Sequence, residues 1–359
     1  MCIVTLRNYI LPKLLHTQEQ SCNCSLFIVD SKRYLISRCV SYFLCDKRSF
    51  VMNGKCHTTN YLYEVDEDFN LQKVKPLFNP YKDQVDVRYN GLEDVRIVSW
   101  NDSIYFLCTK VLGNTDTATM CMGSFSKKDL DITGIKEIRT NQPKEKNWAP
   151  IELEPFNCIY SHGPLIKINL QTGEQHKIND GIAGTRGSSS LVEYDSGSYI
   201  ALVHTNSDAH IYTHRLVKYD RQFHIIGVSQ PFTFFGAKVE FCTTLKVTSD
   251  GIILIPSVYD GISYVFKIPT NLVDALFAGQ LDKTSVDPNL YNTLFLDAIS
   301  NGVYEVAATI ACMATDPKIV AQSVIYNYNS SKFDPHNRYH RQSLLISRFD
   351  AIKKSPEEK

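Results

Sequence analysis

Three features of the 359-residue sequence predict an all-β fold with a helical segment behind it. Short apolar runs rich in Tyr, Phe and β-branched residues recur between residues 25 and 269. Asp, Asn, Ser and Gly clusters punctuate them, as turns do. Helical spacing enters only after the stretch "KIPTN".

The first group, 25–58, contains "SLFIVDSKRYLISRCVSYFLC", two β-rich runs around an Asp-Ser-Lys turn. The second, 95–125, holds "VRIVSWNDSIYFLCTKVLG" with a turn at Asn101-Asp102-Ser103. The third, 146–178, contains "PLIKINLQTGEQ", with its turn at Gln171–Glu174. The fourth, 187–229, carries "LVEYDSGSYIALVHT" and "IYTHRLVKYDRQFHIIGVS". The fifth, 240–269, has Ser249-Asp250-Gly251 as a hairpin signal. Five such groups, tens of residues apart, predict a five-bladed β-propeller rather than a sandwich. Behind it, "LVDALFAGQLDK" predicts a helix capped by Thr270 or Asn271. Residues 290–325 predict two or three more, with Asp316-Pro317 as a cap and first-turn proline. The expected layout is an N-terminal segment 1–24, the propeller 25–271, and a helical appendage with polar tail 272–359. The appendage either packs on the propeller or docks a protein partner.

Lys plus Arg and Asp plus Glu are 38 each, so there is no charge argument for nucleic acid or an anionic membrane. No apolar run is long enough to span a bilayer, and the apolar start lacks the features of a signal peptide. Eleven cysteines, an odd number, fall largely in apolar runs, as Cys39, Cys45, Cys108, Cys158 and Cys242 do. Buried free thiols in a reducing, cytoplasmic compartment are expected. Cys22, Cys24 and Cys56-His57 lack zinc-site spacing, and the histidines of "HTNSDAHIYTH" and "DPHNRYHR" lack it too, so no metal is expected.

Polar residues precede or end the strands in a recurring way. Glu93, Asp94 and Arg96 stand at the start of the second group, Lys146 and Asn147 at the third, Arg186 at the fourth. His204 ends one strand, Tyr212, His214 and Arg215 follow it, and Asp260 ends "IILIPSVYD". In a propeller the innermost strands start around a central axis, so these side chains would converge on one funnel. Carboxylates, cations and amides there suit a sugar, with the cations free to hold an anion. Arg38 interrupts an apolar run and needs a partner, in the pocket or in a structural ion pair. Trp148 is expected to pack in the core or rim and His162 to sit in a turn.

In order, these motifs resemble glycoside hydrolase family 130. Its G-x-E-D-P-R is matched by Gly91-Leu92-Glu93-Asp94-Val95-Arg96, with Val95 in place of proline. Its K/R-N before a strand resembles Lys146-Asn147, and its basic residue before a small-residue turn resembles Arg186-Gly187-Ser188. Its later strand ends resemble Val203-His204, Tyr212 to Arg215, and Val258-Tyr259-Asp260. The resemblance covers about residues 30–269. It implies a five-bladed propeller that cleaves or phosphorolyses β-mannosides by inversion, without a cofactor, and with inorganic phosphate as co-substrate if it is a phosphorylase. It implies Asp94 as general acid, its proton passing through a sugar hydroxyl. Lys146 and Arg186 would bind phosphate; Arg38, Glu93, Arg96, Asn147, His204, Tyr212 and Asp260 would bind substrate. No second carboxylate except Asp260 is placed to activate water, which favours phosphorolysis or glycosyl transfer over hydrolysis. A non-catalytic propeller that binds glycans or proteins is the alternative class, and a propeller subunit accompanying a glycosyltransferase is a third.

Overall fold

The structure is a computed structural model that describes residues 3–15, 21–40, 42–45, 48–51, 58–78, 91–111, 117–138, 140, 142–207, 211–237, 239–283 and 290–300. It is all-β and propeller-like. The first sheet is Ser21–Val29, Lys32–Val40, Thr58–Val65 and Leu71–Pro76 in chain order. The second is Glu93–Trp100, Ser103–Val111, Ala118–Phe125 and Ile132–Ile138. The third is Ala149–Pro150, Asn157–His162, Leu165–Asn169 and Gln175–Asn179. The fourth is a seven-stranded sheet around Ser198–Asn206 and Tyr212–Asp220. The fifth is Glu240–Thr248, Gly251–Val258 and Ile262–Pro269, with Lys13–Leu14 as its outer strand.

Hydrophobic side chains fill the space between each sheet and the next. Phe27, Ile36 and Leu62 meet Val95, Phe106 and Cys121 between the first two. Trp100 and Met120 meet Trp148 and Ile168 between the second and third. Ile159 and Leu165 meet Tyr199 and Val217, and Leu202 and Leu216 meet Leu254 and Phe266. Ile253, Ile255 and Val265 of the fifth sheet then pack on Leu26, Leu35 and Tyr63 of the first, which closes a ring. Burial on both faces explains the near-continuous apolar runs of the strands.

The N-terminal segment is part of this ring, not a separate piece. Lys13–Leu14 pairs with Val265 and Tyr264, and Val4–Thr5 pairs with Phe232–Thr233 of the fourth sheet. The expected boundary at residue 24 falls inside the strand Ser21–Val29. Covering exposed sheet edges with the other chain end removes unpaired backbone groups. The predicted turns at Asp30-Ser31 and Asn101-Asp102 adopt left-handed backbone at both residues, as tight hairpins require.

The first expected helix spans Thr270–Ala278, with Pro269 rather than Thr270 or Asn271 at its cap and Gly279 in the left-handed region behind it. A second spans Leu290–Ser300. Val273, Leu276, Leu290, Leu294 and Phe295 are buried in the core of the fourth and fifth sheets, so these helices pack on the ring. The later helices and polar tail lie outside the described residues. No described helix is long and apolar enough to cross a membrane.

Candidate functional site

The first strands of the sheets pack against one another around the axis. In an antiparallel sheet, the start of the first strand, the end of the second and the start of the third share one end. Glu93 and Asp94 begin a first strand, Arg38 and His204 lie near the ends of second strands, and Tyr212 begins a third. Hence distant sequence positions meet there.

Bulges aim several of these side chains. Pairing slips between Leu107 and Thr109, opposite Asp94, and again between Cys22 and Ser25. Asp94 (φ 52°) and Asn23 (φ 50°) sit in the left-handed region, as do Asn147 (φ 65°) and Asp260 (φ 50°). Short polar side chains tolerate this conformation best. A bulge breaks the in–out alternation and re-aims a side chain.

Arg38 Nη1 lies 3.7 Å from both Glu93 Oε1 and Asp94 Oδ1. Lys146 Nζ approaches Glu93 Oε1 at 3.4 Å. Asn23 Nδ2 donates to Asp94 Oδ1 at 2.6 Å. Arg38, Glu93 and Asp94 are all buried. Burial pushes the Glu93 carboxyl up, Arg38 and Lys146 pull it down, and Asp94 and Asp260 add to the rise. Glu93 Oε2 is buried and has no hydrogen-bond partner among the described residues.

Next to these groups lies an aromatic wall. His204 stacks on Tyr212 with ring centres 5.5 Å apart and meets the Phe241 edge at 5.2 Å. His204 Nδ1 lies 2.8 Å from Ser188 Oγ. Burial, then competition with His214 for a proton and the charges of Arg96 and Arg186, pushes His204 down, well below its ordinary range. Burial, then Asp260 and Asp94, pushes the Tyr212 hydroxyl up to about 12. Arg186 pairs with His204 across the strands, is exposed, and makes no ion pair among the described residues. Asp260, whose charge acts on Glu93 and Tyr212, belongs to the same electrostatic neighbourhood.

Arg96 departs from expectation. It is fully buried, and its guanidinium does not face the Asp94 carboxylate. Nε donates to Ser188 O (2.7 Å), Nη1 to Asp94 O (2.9 Å), and Nη2 to Asn147 Oδ1 (3.2 Å) and Gly187 O (3.4 Å). It ties the second, third and fourth sheets together where their first strands begin, and has no surface left for a substrate. Arg38 takes the place beside the carboxylates.

Trp148 is buried, donating to Glu145 Oε2 at 3.1 Å. His162 ends a strand rather than lying in a turn; it is buried, with Nδ1 3.0 Å from the Tyr219 hydroxyl. Arg215 donates to Ser229 O. Cys22, Cys24, Cys39, Cys108, Cys121, Cys158 and Cys242 are buried free thiols. The side chains of Cys45, Cys56 and His57 lie outside the described residues. No described group of three or more His, Cys, Asp or Glu is arranged to hold a metal ion. Sequence reasoning missed Asn23, whose only signal was an amide between two cysteines in a buried run, and Phe241.

No protein-family model matches the sequence, and no curated protein sequence matches it significantly. The fold is similar to solved propellers. A β-1,2-mannobiose phosphorylase from Listeria innocua superposes with a TM-score of 0.50 at 12% identity, over 72% of this chain and 92% of that one. A putative glycoside hydrolase from Parabacteroides distasonis gives 0.50 at 15% identity, over 71% and 92%. A putative glycosidase from Bacteroides thetaiotaomicron gives 0.51 at 13% identity, over 69% and 86%.

Proposed function

We propose that the chain is a carbohydrate-active enzyme whose five larger sheets act as five propeller blades around the site at Asp94. The carrying observation is the convergence of Arg38, Glu93, Asp94 and Lys146 within salt-bridge reach at the end where the first strands begin. The similarity of the fold to a β-1,2-mannobiose phosphorylase supports a β-mannoside or related glycoside as substrate. Asp94 is the general acid, delivering its proton through a sugar hydroxyl to the leaving oxygen. Asn23, on Oδ1, and Arg38 fix that carboxyl.

Lys146 and the exposed Arg186 hold inorganic phosphate for attack at the anomeric carbon from the face opposite the acid, which inverts the centre. Asn147, His204, Tyr212 and Asp260 contact the sugar, Tyr212 offering an aromatic face beside polar groups. The reaction needs no cofactor. Hydrolysis is the second reading, and Asp260 is the carboxylate in this neighbourhood that would activate water for it. The test is phosphate release from a panel of sugar 1-phosphates, mannose 1-phosphate first, with mannose and N-acetylglucosamine acceptors. Acceptor-dependent release that disappears in Asp94→Asn supports phosphorolysis. Cleavage of mannosides without phosphate moves the assignment to hydrolysis. Glycan binding without turnover refutes the enzyme.

A further inference from the structure

Among the described residues, Glu93 is more poorly hydrogen-bonded than its neighbour Asp94. Asp94 Oδ1 receives a 2.6 Å N–H bond from Asn23. Among the described residues, Glu93 Oε1 has two longer contacts, 3.7 Å to Arg38 and 3.4 Å to Lys146. Its Oε2 is buried and unpartnered among the described residues. A buried carboxylate oxygen without a donor favours the protonated form. The groups that act on Glu93 come from several sheets: Arg38 from the first, Asp94, Arg96 and Cys108 from the second, Tyr212 from the fourth and Asp260 from the fifth, with Lys146 from the loop before the third.

Arg38 and Lys146 approach the carboxyls Glu93 and Asp94, Asp260 shares their electrostatic neighbourhood, and Arg186 stands exposed on the fourth sheet with its charge acting on Tyr212. The fourth cation, Arg96, is spent on carbonyls and an amide. A bound dianion therefore adds negative charge to a site already near balance. It also competes with Glu93 for Lys146.

We propose that binding of a phosphate-like dianion at Lys146 and Arg186 is coupled to uptake of one proton by Glu93. This rests on the phosphate-site assignment above. When the anion arrives, Glu93 Oε1 gives up Lys146, and a proton from solvent neutralises the carboxyl; no bond to the anion is made or broken. Burial already pushes the empty-site Glu93 carboxyl upward, which brings the linkage toward neutral pH. Affinity therefore falls as pH rises between the Glu93 titrations of the free and bound sites, with a limiting slope of about tenfold per pH unit for one proton.

Sulfate is the probe, because it does not titrate in this range whereas phosphate does. Isothermal titration of the full chain with sulfate, in two buffers of different ionisation enthalpy, counts the protons taken up. The expected result is uptake approaching one proton, retained in Asp94→Asn and abolished in Glu93→Gln, whose affinity becomes independent of pH. Should Glu93→Gln fail to fold, Lys146→Met, at a half-exposed position, should lose both affinity and uptake. Sulfate binding without proton uptake, or uptake lost in Asp94→Asn and kept in Glu93→Gln, overturns the coupling but leaves the anion site standing. No binding of either sulfate or inorganic phosphate overturns the anion site and the coupling with it.

Discussion

Replacing Arg96 by Met removes a buried clamp without opening a large cavity. Three of its hydrogen bonds are short, at 2.7, 2.9 and 3.2 Å, and the fourth is 3.4 Å. Each short bond couples a charged donor to an acceptor in a fully buried setting, worth roughly 1–1.5 kcal/mol after relaxation. Stranding those acceptors therefore costs about 3–5 kcal/mol, in the range for breaking buried charged networks. Arg96→Lys keeps the charge but not the planar fork, so it should recover less than half of the loss. The assay is urea unfolding followed by tryptophan fluorescence. Trp100 and Trp148, the two tryptophans, are both buried between the second and third sheets that Arg96 joins. The expected result is a lower midpoint at an unchanged slope. A loss under about 1 kcal/mol for Arg96→Met would refute the clamp and return Arg96 to the candidates for ligand contact.

Asp94→Asn should lower turnover at least about 100-fold, the usual scale for a general acid. Its melting temperature should hardly change, because Oδ1 can still accept from Asn23; equal turnover would remove Asp94 from the chemistry. Burial pushes His162 and His214 down to about 3, while an unfolded histidine titrates near 6.5. The unfolded chain thus binds more protons below about pH 6.5, and the stability these histidines contribute is full above that pH and lost as pH falls toward 3. His214→Leu should flatten the dependence of unfolding free energy on pH by about 1.4 kcal/mol per unit between pH 6 and 4. An unchanged slope would mean that His214 titrates normally in the fold. Native thiol titration should modify no more than Cys2, Cys45, Cys56 and Cys312, since the seven described cysteines are buried. Rapid reaction of any of the seven would contradict that burial.

The meeting of Arg38, Glu93, Asp94 and Lys146 in the candidate site was legible in one dimension because of how antiparallel sheets repeat. Polar residues at the starts of first strands and the ends of second strands must lie at one end of the ring, and Glu93, Asp94, Lys146, Arg186 and His204 could be gathered on that rule alone. The hairpin turns were legible because Asp30-Ser31 and Asn101-Asp102 carry residues that accept left-handed backbone. The fifth group was legible as strands, yet nothing local said that Lys13–Leu14 would complete its sheet. That pairing joins parts of the chain about 250 residues apart, and two residues carry too little pattern to announce it.

By itself, the sequence determined the kind of element and offered candidate side chains for the axial end, through apolar runs interrupted by turn formers, though not Asn23 or Phe241. The tertiary structure decided which of them touch. In a regular strand Asp94 and Arg96 would share a face. The bulge opposite Leu107 and Thr109, with Asp94 at φ 52°, breaks that alternation. It sends the Asp94 carboxylate toward Asn23 and Arg38 and leaves Arg96 beneath, bonded to the carbonyl of Asp94. A register slip of one residue exchanges the faces of a strand. It is set by pairing with Ser103–Val111 and packing against three other sheets, none of which can be read from the "GLEDVR" stretch.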